Sequence, residues 1–513
     1  MGGVLNYDNT FNDKHTLNVV AGVNRETIQG DSFSAFRRFF ISETVDQMFA
    51  GGDLQRDNSG GAFERARLNY FGRVAYNYKE KYLAEFLWRF DGSYIFPEET
   101  RFGFFPGVML GWVVSEENFW KNSIGGTFDF FKVRGSWGQL GNDQITVGNG
   151  GLLEYQFLST YGFNSYIVGG TETKTLFETR VPNRAITWEV ANNSNLGFEG
   201  QFLDGKMFFE FDLFYNKRTN ILWQRNASVP QSTGLTLPAE NIGEVENKGF
   251  DLNLGLRGGK GEFQYSASIN GGYAKNSILF WDEAPGAPDW QRSTGRPINT
   301  SLVYRYDGVF KDQQSIDAET LDYSALTNSL RPGDMKYQDY DGDGKITPDD
   351  RVRLDNNNIP LFQGGVVLSA NFKGFDASIL FQGAFGARQF ISAGESGNIG
   401  NFLSDIYDNS WTIDNPSSIN PRLANRNDQY YSSGNTYWFR SSDYIRLKNV
   451  EIGYNIPANI SQKIGIKNAR LYLNGLNLIT WSKTDVFDPE SDAATGQYYP
   501  QARIINTGVS VSF

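Results

Sequence analysis

Residues 248–273 read KGFDLNLGLRGGKGEFQYSASINGGY and contain the pattern that decides the fold. Apolar residues take every second position and polar residues or glycine fill the positions between, at Phe250, Leu252, Leu254 and Leu256 and again at Phe263, Tyr265, Ala267, Ile269 and Tyr273. A period of two places the two kinds of side chain on opposite faces of a strand. The stretch therefore predicts two antiparallel strands joined by a glycine-rich turn at 258–261.

The same alternation recurs along the chain, for example over 82–90, 209–216 and 375–385. These segments run about 10 to 13 residues, the length that a tilted strand needs to cross a bilayer, whereas strands of soluble domains average about 5 to 6. Aromatic residues such as Tyr78 and Trp112 lie toward segment ends, as in the interfacial girdles of membrane barrels. The pattern predicts an all-β fold, an antiparallel transmembrane β-barrel.

The connections between segments alternate between short and long, as periplasmic turns and outer loops do in such barrels. Short turns are predicted at 79–81, 203–206, 258–261 and 373–374. The alternation predicts fifteen strands, at 4–10, 16–26, 68–78, 82–92, 102–112, 129–139, 187–201, 207–219, 248–257, 262–273, 361–371, 375–385, 440–454, 469–479 and 503–513.

Composition excludes several classes of function. The chain has 513 residues, no cysteine and a single histidine, so disulfides, thiolate chemistry and most histidine-dependent catalysis are excluded. The net charge of −11 disfavours nucleic acid as a partner. No run of 18 apolar residues offers a transmembrane helix, and no glycine-rich phosphate loop precedes a helix. We therefore expect a protein that is not an enzyme and has no organic cofactor.

A resemblance to a known family rests on motifs that occur in order along essentially all 513 residues. They include Arg67–Tyr78 (RLNYFGRVAYNY), Phe90–Ser93, Arg101–Pro106, Arg134–Asn142 (RGSWGQLGN), Asn247–Asp251 (NKGFD), Tyr306–Phe310, Gly333–Asp339 (GDMKYQD), Tyr444–Val450 (YIRLKNV), Gly453–Pro457 and Asp488–Glu490. Together they resemble the barrel of SusC/RagA-type TonB-dependent transporters.

The resemblance implies a barrel of about 22 strands with a plug in its lumen. Residues 1–513 would then be the C-terminal portion of that barrel, a single domain of about 15 strands with long extracellular loops. The plug, an export signal and the remaining strands have no counterpart in the sequence, so coupling to TonB would depend on a missing N-terminal part. The whole protein would lie in the bacterial outer membrane, in contact with its lipid. It would import an oligosaccharide or peptide with a SusD-like lipoprotein.

The final residues, Asn506–Phe513, place Val509, Val511 and the terminal Phe513 on one face of the last strand. This resembles the signal that the outer-membrane assembly machinery reads. An ordinary edge strand is the alternative interpretation.

One motif carries coordination chemistry. Residues 339–350 have the spacing of an EF-hand loop, with Asp339, Asp341 and Asp343 as side-chain ligands, Lys345 through its carbonyl and Asp350 closing the loop. The motif predicts a Ca²⁺ site that stiffens the long loop, while a tight acidic turn is the alternative.

Aromatic residues in the outer loops are candidates for stacking on sugar rings, namely Trp281, Trp290, Tyr430, Tyr431, Tyr437 and Trp438. Packing within the loops is the alternative. Two other functions remain open at this point: a passive outer-membrane porin, and a secreted soluble β-protein that binds glycan.

Overall fold

The computed structural model describes all residues except 145, 148–150, 153, 226–237, 392–403, 418, 424–433, 462, 464, 485–487 and 492–500. Its main feature is one antiparallel sheet of fifteen strands, each paired with the next along the chain. The strands are β1 (Gly2–Phe11), β2 (His15–Phe36), β3 (Asp57–Tyr78), β4 (Tyr82–Ser93), β5 (Phe102–Val113), β6 (Phe128–Asn142), β7 (Glu189–Phe202), β8 (Met207–Gln224), β9 (Ala239–Lys260), β10 (Phe263–Phe280), β11 (Phe362–Phe372), β12 (Phe375–Phe385), β13 (Tyr444–Asn455), β14 (Asn468–Ser482) and β15 (Ile504–Ser512).

The predicted all-β class and the fifteen strands are confirmed, and so is the alternation of short and long connections. Helices are short, among them Asn118–Lys121, Gln313–Asp317, Ser404–Asn409 and Ala458–Ser461. Among the described residues, no helix combines the length and the apolar character needed to cross a membrane. The turn at Lys373 and Gly374 shows why the short connections form, since both residues have positive φ, the geometry of a two-residue hairpin turn.

Several strands extend beyond their predicted bounds, and two predicted boundaries are wrong for local reasons. The turn between β9 and β10 is not 258–261, because β9 continues to Lys260 and Gly258 pairs with Tyr265. A Cβ at 258 would lie 2.6 Å from the Tyr265 hydroxyl oxygen, so a larger residue there would displace the Tyr265 ring. The predicted strand 440–454 is two strands, Phe439–Ser441 and β13, because the chain bends at Asp443, whose carboxylate accepts a hydrogen bond from the Gly386 amide.

The sheet has an apolar face that no part of the described chain covers. Across β3 to β6, one row of opposed residues consists of Val74, Phe86, Val108 and Trp137, and all four are exposed. Similar residues continue the face over the other strands, including Leu213, Ile269, Phe375, Ile452 and Leu473. An open apolar surface of this extent is a feature of proteins that contact lipid, since soluble monomers rarely expose patches above a few hundred Å².

At the short-turn end of the sheet, aromatic rings gather where the strands turn. Tyr78 and Tyr82 stack with their centroids 6.4 Å apart, and the Trp112 indole donates a hydrogen bond to Glu117. Further along the sheet, at the same end, Phe375 and Tyr454 form a tilted pair with ring centroids 4.5 Å apart. Rings with one apolar body and one polar tip suit the boundary between lipid and water.

At the long-loop end, two antiparallel ribbons extend beyond the sheet. In β2 and β3, residues 25–36 pair with 57–68 after β1 has ended, which at about 3.3 Å per residue gives an arm of about 40 Å. The second ribbon joins Thr160–Val168 to Thr171–Arg180. Both arms, counting the connection 37–56 at the tip of the first, expose large apolar side chains, among them Phe33, Ile41, Phe49, Phe163 and Ile167.

Candidate functional site

The two longest connections, 281–361 and 386–443, fold together above the outer ends of β10 to β13, and we call their described parts the outer lobe. Its core consists of eight buried residues: Tyr304, Phe310, Tyr323, Leu326, Met335, Tyr337, Ile346 and Tyr437. Three small antiparallel pairs frame it, Leu302–Tyr304 with Arg351–Arg353, Tyr306–Val309 with Met335–Tyr337, and Arg388–Phe390 with Phe439–Ser441. Burial of one large apolar side chain stabilises by about 1.5–3 kcal/mol, so this core can hold both loops in one arrangement.

Polar groups inside the lobe core are paired. The Tyr337 amide donates to the Tyr323 hydroxyl at 3.1 Å, and the Tyr304 amide donates to the Gly434 carbonyl of the second loop at 3.0 Å. Burial raises the pKa of Tyr304 to about 12, so its hydroxyl is neutral at physiological pH. The lobe is therefore a packed structure with a fixed surface above the mouth of the sheet.

The acidic loop lies on this lobe. Asp339, Asp341 and Asp343 each present a carboxylate oxygen, and the three oxygens lie within 4.8 Å of one another. Backbone amides already donate to them: Gly344 to Asp339 at 2.9 Å, Asp343 to Asp341 at 3.1 Å and Lys345 to Asp343 at 2.8 Å.

The pKa values of two of these carboxyl groups shift in opposite directions. The amide of Gly344 lowers the pKa of Asp339. At Asp341 the amide of Asp343 also acts to lower the pKa, but burial and repulsion from the carboxylates of Asp350, Asp343 and Asp339 outweigh it and raise the pKa. A bound cation would relieve this repulsion.

Asp350, the predicted ligand that closes the loop, makes hydrogen bonds inside it. It is fully buried, and its carboxylate accepts hydrogen bonds from the Tyr340 and Thr347 amides, both at 2.7 Å. Its position caps the short helix Pro348–Asp350 and fixes the loop from within. Three clustered carboxylates match the oxygen chemistry of Ca²⁺ but are fewer than its usual six to eight ligands. The Ca²⁺ site stays a prediction.

The aromatic residues that were candidates for stacking on sugar rings have different surroundings in the structure. Tyr437 is buried in the lobe core and donates to the Asn420 side-chain oxygen at 3.1 Å, and Trp438 packs against that core. Trp281 packs against Trp223, with ring centroids 3.8 Å apart. Trp290 packs against Tyr340 and donates its indole N–H to the Asp349 carbonyl at 2.9 Å. Tyr430 and Tyr431 lie outside the described residues. A stacking role for these rings stays a prediction, and Tyr437 serves packing in this conformation.

A buried arginine fixes the last long loop, which sequence analysis did not identify. Arg446 of β13 is 1% exposed and donates two hydrogen bonds of 2.8 Å to Asp488, with further bonds to Glu490 at 2.5 Å and to Gln501 at 2.6 Å. Burial acts to raise the pKa of Glu490, but hydrogen bonding to Tyr444 and the charge of Arg446 lower it overall. We call this group the Arg446 clamp. The sequence signal was the motif DPE at 488–490, but the partner 42 residues away is a matter of tertiary structure.

The face of the sheet opposite the apolar one carries charged residues that pair across neighbouring strands. Arg134 of β6 reaches Glu199 of β7 at 2.8 Å and Asp212 of β8 at 2.7 Å. Arg73 of β3 likewise reaches Glu85 of β4 at 2.8 Å. Partly exposed pairs of this kind contribute at most about 1 kcal/mol each, so their main effect is a hydrophilic surface. We call it the charged face.

The predicted assembly signal lies at an edge of the sheet. Val509 and Val511 of β15 are exposed on the apolar face, opposite Leu471 and Ala469 of β14, and Phe513 is exposed at the end of the chain. β1 forms the other edge, and within the described residues β1 and β15 do not pair with each other. Recognition of this strand by an assembly machinery stays a prediction.

Comparison with known proteins finds relatives that are similar to this chain in sequence. No family model matches the chain. It is 28% identical to the TonB-dependent receptor P3 of Formosa agariphila, over 99% of this chain and 52% of the receptor. It is 24% identical to the TonB-dependent receptor SusC of Bacteroides thetaiotaomicron, over 89% of this chain and 45% of SusC.

Solved structures share the fold. The RagAB peptide transporter matches 100% of this chain with a TM-score of 0.75, 22% identity and 55% of its own chain covered. The RagAB importer in its open-open state gives a TM-score of 0.77 at 21% identity, with 54% of its chain covered. The chain spans about half the length of the relatives it matches. The likeness runs along nearly all of this chain and coincides with the fifteen-stranded sheet, so the chain is similar in sequence to TonB-dependent receptors, SusC among them, and shares its fold with the RagAB transporter.

Proposed function

We propose that this chain forms the wall and outer lobe of an outer-membrane nutrient importer that is driven through TonB. The observation that carries the proposal is the division of one continuous sheet into an uncovered apolar face and a charged face of paired residues. Such a sheet suits a wall with lipid on one side and a hydrophilic passage on the other. Its relatives are receptors and transporters, and enzymes are not among those compared above.

The proposed cargo is an oligosaccharide or a peptide. The peptide option is supported by the likeness to the RagAB peptide transporter, and both options are consistent with a polar lobe surface above the mouth of the sheet. Import in this scheme is gating and needs no covalent chemistry: the lobe binds the cargo, and energy from TonB opens the passage.

The proposed partner is a SusD-like lipoprotein that closes over the lobe. The two ribbons offer its contact surface, because they reach above the sheet and expose aromatic and aliphatic side chains that the described chain does not cover. Phe33 and Phe49 on the first arm and Phe163 on the second are each 79% exposed. Exposed rings of this kind are typical of protein interfaces.

Copurification tests the partner. The tagged chain is extracted from native outer membranes in mild detergent, and a lipid-anchored protein is expected to copurify with it in equal amount. Phe33→Ser with Phe163→Ser is expected to abolish copurification, whereas Val74→Ser on the apolar face of the sheet leaves it unchanged. Copurification that survives the first change would contradict this interface.

Uptake tests the transport function. Cells that express the chain in its native setting take up a fluorescent oligosaccharide or peptide of the nutrient mixture that induces it, with and without a protonophore. Uptake that stops with the protonophore supports import driven by TonB. Uptake that continues unchanged supports the passive porin, and recovery of the chain in the soluble fraction without detergent would revive the soluble β-protein.

A further inference from the structure

A polar cavity of about 270 Å³ lies between the two loops of the outer lobe. Its lining comes from five places in the sequence: Arg305 with Tyr306, Gln338, residues 353–356, Arg388 and Thr436. Arg353 ends a strand that leads toward β11, and Arg388 follows β12, so the cavity lies just above the outer ends of β11 and β12. A ligand that enters the mouth of the sheet would pass this point.

The cavity is lined by three guanidinium groups and one carboxylate, Asp355. Asp355 is already paired with Arg296, so it does not neutralise the arginines. Arg353 donates to the Gln291 carbonyl at 3.0 Å and to the Thr300 carbonyl at 2.8 Å. No carboxylate of the described chain lies within ion-pair distance of Arg305, Arg353 or Arg388. In a chain of net charge −11, this concentration of unneutralised positive charge is an exception.

Burial adds to this imbalance. Burial lowers the pKa of Arg353, and the neighbouring Arg296 acts in the same direction, while Glu283 partly opposes them. Arg353 is half-buried, whereas Arg305 and Arg388 are exposed, so the cost of an unpaired charge falls mainly on Arg353. An anion in the cavity would supply the missing pair.

The surroundings of the cavity suit a ligand with rings or flat groups. The Arg305 guanidinium lies 5.7 Å from the centroid of the Tyr340 ring, and that ring packs against Trp290 at 5.4 Å. Trp290 also accepts the Arg353 amide N–H at 2.9 Å through its carbonyl. One of the aromatic residues that the sequence singled out therefore lies directly beside the arginines.

We infer that this cavity binds an oxyanion carried by the imported molecule, a carboxylate or a sulfate, between Arg305, Arg353 and Arg388. The planar guanidinium donates two parallel hydrogen bonds to such a group, which gives orientation as well as affinity. The inference deepens the proposed function and rests on it, because it names acidic cargo as the substrate class. Acidic cargo would arrive oriented by its charge, with its neighbouring groups against Tyr340 and Trp290.

Equilibrium binding to the full chain in detergent micelles tests the inference. The probes are tetragalacturonate, a sulfated tetrasaccharide, an uncharged tetrasaccharide of the same length and a tetrapeptide with two aspartates. At least one anionic probe is expected to bind about tenfold or more tightly than the uncharged one, as hydrogen bonds to charged groups imply. The order among the three anionic probes identifies the source of the oxyanion.

Variants locate the site. Arg305→Gln and Arg388→Gln are each expected to weaken anionic binding about tenfold, and the double variant about a hundredfold. Arg292→Gln is the matched control, since Arg292 is exposed, pairs only with Asp289 and lies outside the cavity. Arg388→Lys keeps the charge but loses the fork, so partial binding is expected and shows that the lobe still folds.

Equal binding of charged and uncharged probes, no binding of any probe, or unchanged binding in the double variant would overturn the inference. The readout is separate from transport. Binding that depends on Arg305 and Arg388 but uptake that ignores the protonophore would contradict TonB-driven import and leave the anion site standing. Uptake that needs energy but involves only uncharged cargo would contradict the anion site and leave TonB-driven import standing.

Discussion

Replacement of Arg446 by methionine should release the loop that follows β14. The guanidinium is 1% exposed and holds Asp488 through two hydrogen bonds, with Glu490 as a second ion-pair partner. Methionine keeps most of the side-chain stem but removes the charge, so both carboxylates lose their partner. Loss of one member of a buried ion pair costs about 3–5 kcal/mol.

The structure sets the expected value at the lower end of that range. The side chains of Asp488 and Glu490 are 16% and 20% exposed, so water compensates part of the loss. We expect about 3 kcal/mol, which corresponds to a roughly hundredfold larger opening equilibrium for the loop. Arg446→Lys keeps one charged contact but lacks the planar fork of arginine. Its opening equilibrium should therefore lie between those of Arg446→Met and the native chain.

Hydrogen exchange measured by mass spectrometry reads this opening directly. In Arg446→Met, peptides that cover 488–491 and 501–503 should exchange roughly a hundredfold faster than in the native chain, while β4 and β12 keep their protection. Arg292→Met serves as the control, since its exposed pair with Asp289 contributes at most about 1 kcal/mol. Native exchange of these peptides in Arg446→Met would refute the clamp.

Other consequences can be tested separately. In phospholipid vesicles, Phe86→Arg on the apolar face should lower the free energy of unfolding, measured in urea, by about 2–4 kcal/mol. Leu87→Arg on the charged face should lower it by less than about 1 kcal/mol. Equal losses of stability would contradict the assignment of the two faces. Because the pKa of Glu490 is lowered in the folded chain, its contribution to the Arg446 clamp is full at neutral pH and is lost as the pH falls through that lowered value. Hydrogen exchange of residues 488–491 should therefore accelerate on acidification below about pH 4. An exchange rate that does not depend on pH, after correction for intrinsic exchange, would count against this role of Glu490. If residues 339–350 hold Ca²⁺, the native chain should show Tb³⁺ luminescence excited through nearby aromatic rings. The luminescence should vanish in Asp341→Asn and persist in the control Asp317→Asn. Equal luminescence in the two variants would exclude this loop as the site.

Strand positions could be predicted from the sequence because alternation is a local property. The segment 82–92 was predicted and β4 runs over Tyr82–Ser93, and the prediction for 375–385 coincides with β12. β2 and β3 run about ten residues further than predicted, since beyond the membrane the ribbon no longer needs a regular apolar face. Gly258 lies opposite Tyr265 within β9 and not in a turn, because the pairing of β9 with β10 continues to Lys260 and Phe263.

Functional groups were harder to predict because they form through space. Arg305, Arg353 and Arg388 come from three segments, and nothing in their local sequence indicates one cavity. For Tyr437 the sequence left stacking on a ligand and packing within the loops open, because the lobe core that buries it is assembled from two loops. The acidic loop was visible as a motif, yet the hydrogen bonds that draw Asp350 inward depend on the fold of its surroundings.

The central claim is that one face of the sheet contacts lipid and the other a water-filled passage. The chain contains no cysteine, so single cysteines can be placed along β4 without background. In native outer membranes, cysteines at Glu85, Leu87 and Arg89 should react with a water-soluble maleimide, and cysteines at Ala84, Phe86 and Trp88 should react only with a lipid-soluble one. Water-soluble labelling at all six positions, or the opposite alternation, would contradict the account.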